Sequence, residues 1–274
     1  MVSRIIFIGG GNMAEAIFSH LISSNLLQTS TAPQIIVTQR NPEKYNILAR
    51  KYPTLTILPD INFVTTANDI VILATKPQDA ETACKSLTDK SKASTIVSIM
   101  TGITTHTLGK WLDNNKIARI MPNTPSAVGL GVSGMYFSPT IITEHQRVIE
   151  TIFKLISKIY IFTDEDYIDK ITAVSGSSPA YIFYFIECLI NTAIEQFGFD
   201  KDIAKEITLQ VVKGSLAMIE NNLDTEIGQL RKNVTSKKGT TEQAIQMFET
   251  HNLAQIIRDA EIACYNRAKE LSKN

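Results

Sequence analysis

The sequence predicts an α/β half followed by an all-α half, and three observations carry that prediction. Across 1–162, short apolar runs alternate with amphipathic stretches. The first apolar run, RIIFI, breaks straight into Gly9-Gly10-Gly11 and then a helix-like stretch. From about Thr163 the strand signals vanish and long helical patterns replace them. Such alternation argues for βαβ units and a parallel sheet covered on both faces. The expected division is a sheet domain over 1–162 and a helical domain over 163–274.

Strand-like runs lie at 5–8, 35–38, 70–75, 95–99, 118–121, 132–136 and 158–162. Between them, 13–24, 42–51, 78–87 and 104–111 carry helical spacing. In the second half one helix runs over 179–197, with Pro179 as a suitable first helical residue and Gly198 just past its end. Its sequence, PAYIFYFIECLINTAIEQF, is apolar on nearly every side. A helix of that kind is buried all round, yet the tail has little material to surround it. A second copy of the chain is the expected cover. Further helices are expected over 202–221 and 240–271.

Gly9-Gly10-Gly11-Asn12-Met13-Ala14 fits G-x-G-x-x-A, directly after a strand and opening a helix. Gly9 permits a tight turn, Gly11 lets a pyrophosphate approach the backbone, and Ala14 lets the helix pack close to the sheet. The helix N-terminus presents free N–H groups and a partial positive charge to phosphate. The plain alternative is an ordinary glycine-rich turn. An NAD site usually ends its second strand with an acid on the ribose. Here that strand ends Thr38-Gln39-Arg40-Asn41, with no acid before Glu43. Arg40 offers a planar fork to a 2′-phosphate, or it is a solvated loop residue. NADPH is therefore favoured over NADH.

The fourth strand ends in Thr75-Lys76-Pro77-Gln78, where a ligand would sit beyond the carboxyl ends of the strands, although by composition alone Lys76 reads as a surface cation. The next two lead to SIMTGI and to RIMPNTPSAVGLG. Three irregular loops at one edge suggest a cleft, although turn punctuation accounts for each prolyl residue singly. In the helical half, Thr240 and Gln243 read as a capping box with Thr240 as N-cap. Capping leaves Val234-Thr235-Ser236, Gly239 and Thr241 unexplained, and a hydroxyl-rich loop feeding a helix N-terminus also suits a carboxylate.

The charges balance, with 27 basic and 27 acidic residues, so neither a basic stripe for nucleic acid nor a polybasic membrane patch is present. Cys84, Cys188 and Cys264 have no metal-type spacing and read as buried thiols of a reducing compartment. The opening apolar run stops at Phe7-Ile8, unlike a signal peptide. The most apolar stretch, 181–190, contains Glu187 and reads as too short and too polar to span a bilayer. A cytoplasmic setting is expected, with no membrane or nucleic-acid partner. The four histidines, His20, His106, His145 and His251, read as surface or capping residues, and the acids at 164–169 as a solvated turn rather than a metal site.

In order along the whole chain, GGGNMAEAI, TKPQ, MPNTPSAVGLG, SGSSPAY and VTSKKGTT resemble the pyrroline-5-carboxylate reductases. The resemblance implies a Rossmann-type N-terminal domain for NADPH and an all-α C-terminal domain that interlocks two subunits, with dimers often assembled into larger rings. It implies a reaction too: hydride passes from nicotinamide C4 to the imine carbon of 1-pyrroline-5-carboxylate, giving L-proline. By position, Gly10, Asn12 and Met13 would line the pyrophosphate, beside Gly9 and Gly11 of the glycine turn, and Arg40 would meet the 2′-phosphate. Asn62, one residue out of register, would correspond to an asparagine near the adenosine. Thr75, Lys76 and Thr101 would sit by the nicotinamide half. Ser236, Gly239, Thr240 and Thr241 would hold the substrate, Glu165 would match an acid approaching it, and Thr241 would place a hydroxyl at the ring nitrogen. No metal is implied.

The chain departs from the family pattern at Lys232, where an aspartate is usual, at Lys237-Lys238, which replace a proline and a glycine, and at Ser178, which replaces a glycine. Two other families of function share this plan. A β-hydroxyacid dehydrogenase or imine reductase of the same plan usually carries a lysine in its central helix, and 179–197 has none. A non-catalytic NADPH-binding regulator has no need of Gly239-Thr240-Thr241.

Overall fold

The computed structural model describes residues 1–24 and 32–273. They form two compact units, Met1–Pro179 together with Cys264–Asn274, and Ala180–Ala263.

The first unit is built on one sheet. Its strands are β1 (Arg4–Ile8), β2 (Gln34–Thr38), β3 (Thr56–Leu58), β4 (Asp69–Leu73), β5 (Thr95–Ser98), β6 (Ile117–Met121), β7 (Gly131–Phe137) and β8 (Ser157–Phe162). They lie in the order β3-β2-β1-β4-β5-β6-β7-β8. Strands β3 through β6 are mutually parallel. The order reverses at β1, between β2 and β4, and a crevice opens outside the carboxyl ends of the strands at such a switch point.

The helices are α1 (Asn12–Ser23), α2 (Pro42–Lys51), α3 (Ala80–Leu87), α4 (Thr105–Leu112), α5 (Thr143–Lys154) and α6 (Asp166–Ile171). Strand β1 shows why both sheet faces are covered. Successive side chains point to opposite faces. Ile5 and Phe7 join one core with Ile17, Phe18 and Leu21 of α1 and Phe153 of α5. Ile6 and Ile8 join the other with Ala80 and Leu87 of α3 and Leu108 of α4. Phe18 meets Phe7 and Tyr52 edge to face, at 5.7 and 5.2 Å. Each such fully buried apolar side chain contributes roughly 1.5–3 kcal/mol, which fixes α1, and with it the glycine turn, onto β1.

Several expectations need correction. The sheet is not wholly parallel: β7 runs antiparallel to β6. The short connection through the Thr124–Val128 helical turn and Gly129 permits that reversal, whereas a parallel return needs a longer crossover. Strand β3 was missed because three residues are too few to show alternation. Of the cysteines only Cys84 is buried, and burial pushes its thiol up to about 12. His145 is also buried, with Nδ1 2.6 Å from Thr95 Oγ1. The acids at 164–169 do not form a solvated turn: Asp169 is buried against Arg119, and Asp166 pairs with Lys170 and Lys269.

The second unit contains most of α7 (Ser178–Phe197), then α8 (Lys201–Glu220), α9 (Ile227–Asn233), α10 (Thr240–Thr250) and the start of α11 (Leu253–Lys273). The run expected over 240–271 is two helices, because Asn252 takes a left-handed φ of 54° between them, a conformation asparagine tolerates. Helix α7 has no buried residue in the single chain. Phe183 and Tyr184 are 62% and 68% exposed, so its apolar surface awaits a cover. By length and composition the continuous helical run Asp166–Phe197 is also enough to cross a membrane. The expectation of a stretch too short to span is corrected on that point: α6 continues through a π-turn at Thr172–Gly176 into α7.

The His145 environment gives a pH prediction. Burial, opposed by Glu144, lowers its pKa below the ordinary 6.5. Between that lowered value and 6.5 the unfolded chain binds more protons, so this contribution to stability is complete above pH 6.5 and is lost as pH falls. His145→Gln is expected to flatten the pH dependence of the urea midpoint below 6.5 relative to the parent; identical profiles would reject the assignment.

Candidate active site

At the β1–α1 turn the three glycines have three different reasons. Gly9 adopts φ +100°, and a Cβ there would lie 3.0 Å from the Ala74 carbonyl oxygen. Gly10 is packed: its Cβ would come within 2.8 Å of Leu48 Cδ1. Gly11 has an ordinary φ of −73°, and its Cβ would meet only the Ala74 oxygen at 3.8 Å. Nothing in the protein requires glycine at 11. Only a group from outside gains from its missing side chain. Gly11 is also the N-cap of α1 and supplies no side-chain acceptor, so the first N–H groups of α1 remain available to an anion. Asn12 is exposed beside them and Met13 is half-buried.

A cleft of about 370 Å³ gathers the ends of β1, β2 and β4, with Gly9, Thr38, Gln39, Arg40, Thr75 and Lys76 on its walls. Thr38 Oγ1 accepts the Gly9 N–H at 3.1 Å, and Gln39 Nε2 donates to the Gly10 carbonyl at 3.4 Å. The end of β2 therefore braces the glycine turn. Arg40 and Lys76 are exposed and enter no ion pair among the described residues, so both charges remain available. Asp60 and Asp79 also line the cleft. Asn62 is exposed and is not among the lining residues; Asp60, two residues earlier, occupies that wall.

Farther along the same edge, Thr75 Oγ1 donates to Met100 Sδ at 3.2 Å and Thr101 Oγ1 to Met121 Sδ at 3.8 Å. Thr75 and Thr101 thus stand at the ends of β4 and β5. The Thr101 loop leads into α4, where Thr105 donates its N–H to Glu165 Oε1 at 2.8 Å and its hydroxyl to Oε2 at 2.6 Å. Glu165 Oε1 also lies 3.3 Å from Arg119 Nη1. Both oxygens of the acid expected at the substrate are therefore engaged within the first unit.

Arg119 was missed at the level of sequence. It sits in mid-strand on β6, among the largest fully buried side chains. Its Nη2 meets Asp169 Oδ1 at 2.5 Å, and its Nε has no partner among the described residues. The readable signal was a charge inside the apolar run IARIM, matched by acids four residues apart at 165 and 169. Removing one partner from such a buried group costs about 3–5 kcal/mol.

In the second unit, the loop before α10 corrects the capping assignment. Gly239, not Thr240, is the N-cap. A Cβ on Gly239 would fall 2.4 Å from Ser236 Oγ, and its N–H donates to the Ser236 carbonyl at 2.9 Å. Lys238 takes φ +61°, the left-handed conformation that suits the family's glycine, and for a non-glycine residue it costs roughly 1–2 kcal/mol. Glu242 Oε2 accepts the Lys238 N–H at 2.6 Å and holds the bend. Thr240 and Thr241 are exposed, and their hydroxyls make no hydrogen bond among the described residues. Ser236, Thr240 and Thr241 thus crowd one uncapped helix N-terminus, a place suited to a carboxylate.

Comparison with known proteins agrees with this organisation. Residues 165–271 match a family model described as pyrroline-5-carboxylate reductase dimerisation, and residues 4–102 match one described as NADP oxidoreductase coenzyme F420-dependent. The chain is 36% identical to a pyrroline-5-carboxylate reductase of Vibrio alginolyticus, over 98% of each chain. A solved pyrroline-5-carboxylate reductase of Coxiella burnetii superposes with a TM-score of 0.82 at 37% identity, covering 100% of both chains. The Streptococcus pyogenes enzyme gives 0.82 at 26% identity, covering 98% of this chain and 99% of that one.

The glycine turn supplies a direct test. Gly11→Ala is expected to stay within about 0.5 kcal/mol of the parent in stability while weakening dinucleotide binding at least about tenfold. Gly9→Ala should lose stability as well, because φ +100° strains any Cβ. Calorimetric unfolding and cofactor titration on both variants check this; unchanged binding in Gly11→Ala would contradict it.

Proposed function

The chain belongs to the pyrroline-5-carboxylate reductase family, and we propose that it reduces 1-pyrroline-5-carboxylate to L-proline with NADPH, the last step of proline synthesis. The observation that carries this reading is the turn at Gly11, open to an outside group, two residues from Gly9 on the wall of a cleft that Arg40 and Lys76 also line. When bound, NADPH supplies the hydride from nicotinamide C4.

The chain's own residues bind and orient. Gly9, Gly10, Gly11, Asn12 and Met13 take the diphosphate with bare backbone and the N-terminus of α1. Arg40 takes the 2′-phosphate through its planar fork. Thr75, Lys76 and Thr101 border the nicotinamide half. Ser236, Gly239, Thr240 and Thr241 hold the substrate carboxylate and ring, with the uncapped N–H groups of α10 facing the anion. Lys232, Lys237 and Lys238 add positive charge beside an anionic substrate and favour its approach.

A protonated imine accepts hydride far better than a neutral one, because the negative charge that develops is cancelled at nitrogen. The hydroxyl of Thr241 accepts a hydrogen bond from that protonated nitrogen or positions a water there. Its own acidity is too weak for full proton transfer, so its contribution is placement.

A second copy of the chain covers α7, whose exposed aromatic and aliphatic side chains otherwise face water. Matching of 165–271 to a dimerisation model supports a homo-oligomer. We infer a homodimer, assembled further into a ring as in the family. This cover also accounts for the apolar run Asp166–Phe197 without a bilayer and supports a cytoplasmic protein.

Two substitutions separate the roles. Thr241→Ala is expected to lower kcat by about tenfold to a hundredfold while NADPH affinity stays within about twofold. Arg40→Ala is expected to raise the KM for NADPH at least about tenfold and leave that for NADH nearly unchanged. Steady-state oxidation of NADPH and NADH with and without the imine reads both. Equal loss of turnover and affinity in Thr241→Ala, or equal loss for both cofactors in Arg40→Ala, would overturn the assignments.

A further inference from the structure

We propose that Arg119 and Glu165 are positioning residues for the nicotinamide-side loop 101–104, and that they lock this loop together with the last turn of the chain. The inference rests on the reading that Thr101 borders the nicotinamide. Glu165 pins the start of α4 through the backbone and hydroxyl of Thr105, at 2.8 and 2.6 Å. That leaves loop 101–104 held at one end by β5 and at the other by Glu165. Arg119, on the neighbouring strand β6, ties Glu165 to Asp169. Asp169 in turn accepts from Ser272 Oγ at 3.3 Å.

The same last turn closes over the loop from outside. Gly102 is buried with φ +73°, and a Cβ on it would lie 2.4 Å from Leu271 Cβ. Lys269 pairs with Asp166 and lies 3.8 Å from Asp169, which adds a second anchor for the helix end. All these residues belong to the first unit. The carboxylate of Glu165 thus acts from behind Thr101, through Thr105, rather than on the substrate. Two carboxylates and one guanidinium, mostly excluded from water, make that support stiff. A loop that carries a contact to the reacting half of a cofactor needs such support, because small displacements there cost turnover.

The test uses the full-length protein with Glu165→Gln, Arg119→Lys and Thr105→Val. Binding is measured for NADPH and for adenosine 2′,5′-bisphosphate, which probes only the adenosine half. In Glu165→Gln, kcat is expected to fall about tenfold or more, and the preference for NADPH over the bisphosphate to fall several-fold, while bisphosphate affinity stays within about twofold. Thr105→Val should reproduce the effect, and the double variant should be no worse than either single one. The binding ratio is read without turnover, so a parent protein that failed to reduce the imine would refute the proposed reaction and leave this claim to the ratio. Should Arg119→Lys not fold, Glu165→Gln and Thr105→Val still decide. Unchanged kcat and ratio in Glu165→Gln, or parallel loss of bisphosphate binding, would overturn the proposal.

Discussion

On the proposed reading one constraint governs the nucleotide half: a doubly charged diphosphate must reach bare backbone at the end of β1. That demand removes the side chain at Gly11, where the protein itself has no use for glycine. It places the uncapped N-terminus of α1 at the switch point of the sheet. It also explains why α1 is fixed so firmly. A helix dipole aimed at a ligand is useful only if the helix cannot move, and Phe18, Ile17 and Leu21 bury α1 against β1 and α5. Thr38 and Gln39 extend the brace to β2, so the residue after them, Arg40, emerges from a fixed frame beside the cleft.

The helical half solves a different problem. Helix α7 has no buried residue of its own in one chain, and its side chains are too apolar to remain in water. Assembly is thereby coupled to the second part of the chemistry, because the hydroxyl-bearing bend before α10 belongs to the same unit. The bend is under local strain at Lys238 and is tight at Gly239. The family's glycine at the first of these positions would relieve that strain. The chain takes a left-handed conformation there with lysine and, on the proposed reading, gains a positive charge for an anionic substrate.

Much of this was legible in the sequence, and the limits have physical causes. The glycine turn, the ends of β2 and β4, and helix α2 could be read because local chemistry dictates them: glycine at a tight turn, continuous apolar runs in the strands, and helical spacing over 42–51. What the sequence did not disclose depends on distant partners. Arg119 reads as an anomaly in a strand until Glu165 and Asp169, 46 and 50 residues away, arrive beside it. Those same acids read as a solvated turn because their partners are remote in the chain. The N-cap of α10 was misplaced by one residue. Thr240 has the right side chain for a cap, but Gly239 already has the extended backbone, and Glu242 reaches Lys238. The family resemblance, by contrast, rests on short motifs spread along the whole chain, so it does not depend on any one distant contact.

The central claim is that the chain reduces 1-pyrroline-5-carboxylate by direct hydride transfer from NADPH. Turnover of 1-pyrroline-5-carboxylate with NADPH deuterated at nicotinamide C4 tests it most directly. The account predicts L-proline carrying one deuterium at C5 when the label occupies the transferred face, and none when it occupies the other. Proline formed without label from either face, or no proline at all, would contradict it.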